Sequence, residues 1–288
     1  MNQRTTQSQL SSSSGFSDDE RSGPRYAYPP RLVLSISSSV LQGRKRSFST
    51  DAKQLIGVVV PEPRVENPHV IPREVGLVVA TNHYCRPGYH AWWGVILVTA
   101  VIARLRPLSG DIVWLITNRW TYPDPLRRRL VTPLTHWFLT RIARTYGFVA
   151  MPPMPPQPAY TGEGARAVRQ VLTMLESRGR HGPIIGIALE GRDSPDGSLI
   201  APPPGAGRFL IHMASHGLVV LPVGVAEVAG TLTARFGPPL VLEKWPGLDR
   251  REQDRRASMQ VMVAIGAQLP SCLWGTYRGQ IEQIVGKC

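Results

Sequence analysis

Cysteine is scarce in this 288-residue sequence, with Cys85, Cys272 and Cys288 the only three. An odd number without a C-x-x-C pair fits neither a disulfide framework nor a zinc site, and it points to a reducing, cytoplasmic setting. Acids are also short: 20 aspartates and glutamates face 33 lysines and arginines, a net charge of +13. That balance implies anionic company without choosing among nucleic acid, a membrane surface and phosphorylated ligands. Long apolar runs are missing too. The longest, Ala91 to Ala103, falls short of the roughly 20 residues that span a bilayer, and it predicts a core or interfacial helix. No apolar h-region of a secretory signal opens the chain.

Residues 1–70 lack a hydrophobic period. Ser11–Ser14, Asp18-Asp19-Glu20, Pro29-Pro30, Ser37–Ser39 and Arg44-Lys45-Arg46 predict a disordered leader. From residue 71 to 288 the pattern becomes regular. Strands are expected at Gly76–Ala80, Asp111–Thr117, Gly147–Ala150, Ile184–Leu189, Leu218–Val225 and Thr231–Phe236, with a further short one at Leu240–Leu242. Helices are expected at Tyr89–Ala103, from Pro125 to about Tyr146 with a kink at Pro133, and at Gly164–Ser177, Arg208–His216 and Arg255–Leu269. Alternating strands and helices indicate one α/β domain with a mostly parallel central sheet flanked by helices.

Three strand ends carry candidate chemistry. The first apolar run stops at Asn82-His83, and Pro87-Gly88 then forces a turn. In open α/β sheets ligands bind at the carboxyl ends of strands, which is where His83 falls. A structural or capping histidine is the alternative at this point. Ile184–Leu189 ends in Glu190-Gly191-Arg192-Asp193-Ser194, where Arg192 has the planar fork that suits a phosphate. An ordinary turn with a surface ion pair is its bland counterpart. Leu221-Pro222-Val223 places a proline in an apolar strand, which predicts an edge or broken strand.

Taken in order, these stretches resemble the lysophospholipid and glycerol-phosphate acyltransferases. That family carries Asn-His followed by an aspartate, then a Glu-Gly-Thr-Arg-Ser block, then a strand with Val/Leu-Pro-Val/Ile. The matches here are Asn82-His83, Glu190-Gly191 with Arg192 and Ser194, and Leu221-Pro222-Val223. The resemblance implies acyl transfer from acyl-CoA or acyl carrier protein to a hydroxyl of a lipid acceptor, as in phospholipid biosynthesis. His83 would be the general base with Asn82 beside it, and Glu190, Gly191 and Arg192 would hold the acceptor phosphate. Backbone N–H groups near Gly88 would meet the oxyanion, and neither a metal nor another cofactor is required.

The sequence departs from the family at two places. Gly88 stands where the orienting aspartate is expected, and Arg192-Asp193 replaces Thr-Arg. Either another carboxylate (Asp111, Glu190 or Asp193) orients His83, or the chain is a non-catalytic lipid- or acyl-carrier-binding protein on the same fold. Finally, eight arginines and two aspartates lie between Arg104 and Arg144, beside Trp120, Tyr122 and Trp137. Such a segment suits peripheral attachment to an anionic membrane surface, with a solvated helix face as its alternative. No helix-turn-helix, zinc or RNA-binding signature accompanies the charge, which argues against nucleic acid.

Overall fold

The computed structural model describes residues 24–154, 158–176 and 182–286. Its strands are β1 (Arg64–Glu66), β2 (Leu77–Thr81), β3 (Val113–Thr117), β4 (Val149–Met151), β5 (Ile184–Ala188), β6 (Val219–Val228) and β7 (Thr231–Phe236). They form one seven-stranded sheet in the order β1-β7-β6-β2-β5-β3-β4. Every neighbouring pair is parallel except the β6–β7 hairpin. The mostly parallel α/β architecture expected from the alternating pattern is therefore present.

The helices are α1 (Pro30–Gln42), α2 (Phe48–Ile56), α3 (Trp92–Leu105), α4 (Pro125–Tyr146), α5 (Thr161–Glu176), α6 (Ala206–Ser215), α7 (Arg250–Gly266) and α8 (Arg278–Val285). They cover both faces of the sheet, which explains why its central strands are apolar throughout rather than alternating. Along β2, Leu77 and Val79 join the core shared with α2 and α3, while Val78 and Ala80 join the one shared with α6 and α7. Helix α4 runs through Pro133 as one continuous element.

Two expectations need correction. The part of residues 1–70 that lies within the described residues is folded. Leu32, Phe48, Ala52, Leu55 and Val59 are buried with α3 and the sheet, and Val40 is buried on α1. Leu32, Ile36, Ser39 and Val40 share one helical face, and the serines between them obscure its period. Buried Asp51 is held by Arg46 at 2.6 Å and by the Tyr146 hydroxyl at 2.8 Å. Residues 1–23 lie outside the described residues.

Pro222 provides the second correction, because β6 is a central strand. Its neighbours show why the ring fits. The N–H of Val219 bonds Gly76 and that of Val220 bonds Leu240, so by alternation the Pro222 nitrogen faces away from β2. On that side the chain is crossing between the bridge to Leu240 and the β7 ladder that begins at Val223.

Candidate active site

Strands β2, β5 and β3 are parallel neighbours, so the loops that follow them meet at one edge of the sheet. The Asn82 side chain turns inward there. It donates to the Val225 carbonyl and accepts from the Val225 N–H, both at 2.8 Å. This pair of bonds fastens the end of β2 to β6 and fixes where the next residue, His83, emerges. Asn82 is buried and acts on the site through position.

Glu190 is also internal, at 2% exposure. One carboxylate oxygen accepts from the His83 N–H in a short contact, and the other accepts from the Ile200 N–H at 3.1 Å. Burial raises its pKa, with these two donors opposing the shift. Its carboxylate is thus committed to main chain and ties the two loops together. Of the expected phosphate-holding trio, Gly191 and Arg192 are exposed and Glu190 is not. Gly191 takes a positive φ of 64°, a turn conformation suited to glycine, and its N–H closes the turn onto Ala188.

Asp193 brings a carboxylate to the imidazole. Its Oδ1 lies 2.9 Å from His83 Nδ1. The separation is that of a charge-assisted hydrogen bond, but Nδ1 has no partner of good angular geometry among the described residues. The His83 imidazole nevertheless holds the Asp193 carboxyl below the usual aspartate range, against a smaller opposing effect of burial. Asp111 is elsewhere. It precedes β3, at the opposite edge of the sheet, where it accepts from the N–H groups of Phe48 and Ser49 and caps α2. Gly88 sits in the Pro87-Gly88 turn with φ +79°, and the Tyr89 N–H closes that turn onto the Arg86 carbonyl at 3.0 Å.

Cys85 lies in the same loop. Burial and the negative charge of Asp193 push its thiol pKa up, which removes the basis for a thiolate nucleophile. The β2 and β5 loops pack closely here: a Cβ on Gly197 would fall 2.8 Å from the Cys85 carbonyl oxygen.

A second cluster at this edge was not foreseen. Glu227, near the end of β6, pairs with Arg86 through both of its carboxylate oxygens. It also accepts from Tyr26 at 2.6 Å and from Tyr84 at 3.5 Å. A lone acid at the end of an apolar strand was the available signal, and Tyr26 was hidden in the stretch read as leader. Burial raises the pKa of both tyrosines, so they serve as hydroxyl donors.

A family model described as Acyltransferase matches residues 62–226, more than half of the chain. The chain belongs to the acyltransferase family. No curated protein matches it. The matched region runs from just before β1 to near the end of β6, so it contains His83, Glu190 and Asp193. No helix among the described residues is long and apolar enough to cross a membrane.

Proposed function

We propose that this acyltransferase moves a fatty acyl group from acyl-CoA or acyl carrier protein to a hydroxyl of a glycerol-phosphate or lysophospholipid acceptor. The observation that carries the reading is the 2.9 Å approach of Asp193 to His83 Nδ1 at the carboxyl edge of the sheet. A carboxylate on the Nδ1 side favours the tautomer with Nδ1–H and leaves Nε2 with its lone pair. Nε2 takes the proton from the acceptor hydroxyl as its oxygen attacks the thioester carbonyl. Backbone N–H groups of the turn around Gly88 face the oxyanion that forms. When the intermediate collapses, the C–S bond breaks and the thiolate leaves with the proton from the imidazolium. The exposed Arg192 guanidinium holds the acceptor phosphate. Glu190 ties the two loops together and Asn82 pins the end of β2 to β6, neither touching the reacting atoms.

One observation favours the second reading, a non-catalytic lipid- or acyl-carrier-binding protein. The Asp193 side chain is 64% exposed, and the Nδ1 contact is not aligned. Purified protein assayed with acyl-CoA and acyl carrier protein donors, against glycerol 3-phosphate and lysophosphatidic acid, separates the two. Transfer that His83→Ala abolishes is the expected result. Transfer that survives His83→Ala would exclude the mechanism, and absence of transfer with every pair would favour the binding role.

A further inference from the structure

Helix α4 buries small or hydroxylated residues and exposes large apolar ones. Thr132, Thr135, Ala143 and Thr145 face the protein. Leu126, Leu130, Leu134, Trp137 and Phe138 are each between 45% and 66% exposed. At 3.6 residues per turn these five fall on one face of the helix. An apolar face of that length, left uncovered, marks an interaction surface.

The charge around this face identifies what covers it. Arg127 lies at one end of the same face, and Arg141 and Arg144 lie at the other. Arg128 and Arg129 flank it, and Asp124 is the only acid between residues 119 and 146. Asp124 is spent on capping the helix, where it accepts from the Arg127 N–H at 2.7 Å. The arginines expected earlier in the segment belong elsewhere. Arg106 is buried against the carbonyls of Pro72 and Val75, and Arg119 is paired with Glu163. Of the segment's other six arginines, Arg104 is exposed on α3 and the remaining five lie on α4. Arg141 stacks over Trp137 at 5.4 Å and donates to the carbonyl of Leu41, itself 62% exposed, so the surface continues onto the end of α1.

We propose that α4 is a membrane-docking helix that lies in the headgroup layer of an anionic bilayer. Its leucines and aromatics enter the acyl boundary, and Arg127 and Arg144 meet lipid phosphates. A second copy of this chain would bring the same arginines opposite themselves, and an uncharged partner would leave them unmatched. Anionic lipid supplies apolar contact and negative charge together. The location fits the role, because α4 begins after β3 at the sheet edge that carries His83. Exposed Trp120 lies in the connecting loop. The inference deepens the acyl-transfer reading, since a lipid acceptor resides in such a surface, and it rests on that reading only for its purpose; the docking itself requires no catalysis.

The test uses the full chain and vesicles of phosphatidylcholine with or without phosphatidylglycerol. The wild type should co-sediment only with the anionic vesicles. Leu130→Asn/Leu134→Asn should lower the partition coefficient at least about tenfold, and Arg127→Gln/Arg128→Gln/Arg129→Gln should do so by a similar factor. Melting temperatures should match the wild type, because the altered side chains are exposed. Failure of the wild type to bind anionic vesicles would overturn the proposal, as would undiminished binding by the leucine variant. A concentration-dependent dimer that the leucine variant abolishes would assign the face to a second copy instead. Transfer from a short-chain thioester to glycerol 3-phosphate, measured without vesicles, reads the chemistry separately. Vesicle binding without transfer to glycerol 3-phosphate or to lysophosphatidic acid would remove the acyl-transfer reading and leave the docking helix in place.

Discussion

His83 Nδ1 and Asp193 Oδ1 lie 2.9 Å apart although the histidine follows β2 and the aspartate follows β5. Position 88, where the motif resemblance expects an acid on the histidine's own loop, is a glycine in this chain. An imidazole oriented across two loops can carry out the same chemistry as one oriented within a single loop, provided that the loops are held in register. Two contacts meet that condition, Glu190 on His83 and Gly197 against Cys85, while Asn82 on Val225 pins the end of β2 to β6.

Asp193→Asn should reduce kcat by about 10²–10⁴ with little change in KM for the thioester, because an amide no longer favours the base-competent tautomer. His83→Ala should cost at least as much. Since the two groups act as one unit, the double variant should be no slower than His83→Ala alone. Additive losses in steady-state kinetics would separate Asp193 from the imidazole. Gly88→Asp should not rescue Asp193→Asn. Position 88 needs a φ of +79°, and an aspartate there meets a backbone cost of about 1 kcal/mol before its carboxylate can reach the ring.

Glu190→Gln should destabilise the fold by about 1–3 kcal/mol, because an amide donor would then face one of the two main-chain donors that Glu190 accepts from. The pH dependence has a definite sign. Burial raises the folded-state pKa of Glu190 above the unfolded value. The native state therefore holds the proton more tightly, and this group's contribution is fully present below the unfolded pKa and lost as pH rises through the folded one. In urea titrations from about pH 5 to pH 8, the wild type's advantage over Glu190→Gln should shrink as pH increases. A widening gap would contradict the assigned direction.

Asn82→Ala should leave the buried N–H and carbonyl of Val225 without partners, at about 1–3 kcal/mol for each unpaired group. Activity should fall further than stability alone accounts for, because the β2 end would no longer be pinned to β6. Asn82→Asp can restore only the bond from the Val225 N–H. Chemical denaturation and single-turnover rates on both variants check the order wild type, then Asp, then Ala.

Phe48→Ala should destabilise the protein by about 3–5 kcal/mol, the usual cost of emptying a buried aromatic site. Phe48 is 9% exposed and packs edge-on against Tyr146 and Phe148, at 5.2 and 4.9 Å between ring centres. Limited proteolysis should accordingly leave a resistant fragment that still contains α1 and α2. Rapid digestion to about residue 70 with a folded remainder would show that these helices are dispensable.

Much of the sheet was legible because its strands are short apolar runs with polar ends, and those ends placed His83 after β2 and the Glu190–Asp193 block after β5. The helix at 48–56 was missed because part of what stabilises it is distant in sequence: beside the local Ser47 cap and the Arg46–Asp51 pair, Asp111 accepts from its first N–H groups and Tyr146 bonds its buried Asp51. Pro222 misled because the rule against central prolines asks only whether a donor is lost. In this sheet the nitrogen falls where β6 changes partners. Which of Asp111, Glu190 and Asp193 comes near His83 Nδ1 depends on which edge of the sheet each occupies and how far each side chain reaches. Composition and spacing contain neither.

The clamp formed by Glu190 has a consequence for how this protein would fail. The imidazole and its acid sit on separate strand ends, so their alignment depends on loop packing rather than on the integrity of the sheet. Loosening Ile200 or Gly197 would part them while every strand remained paired. Inactivation in mild denaturant should therefore precede the loss of circular dichroism, and amide exchange at His83 and Ile200 should accelerate over the same concentrations. An enzyme built in this way goes silent before it melts.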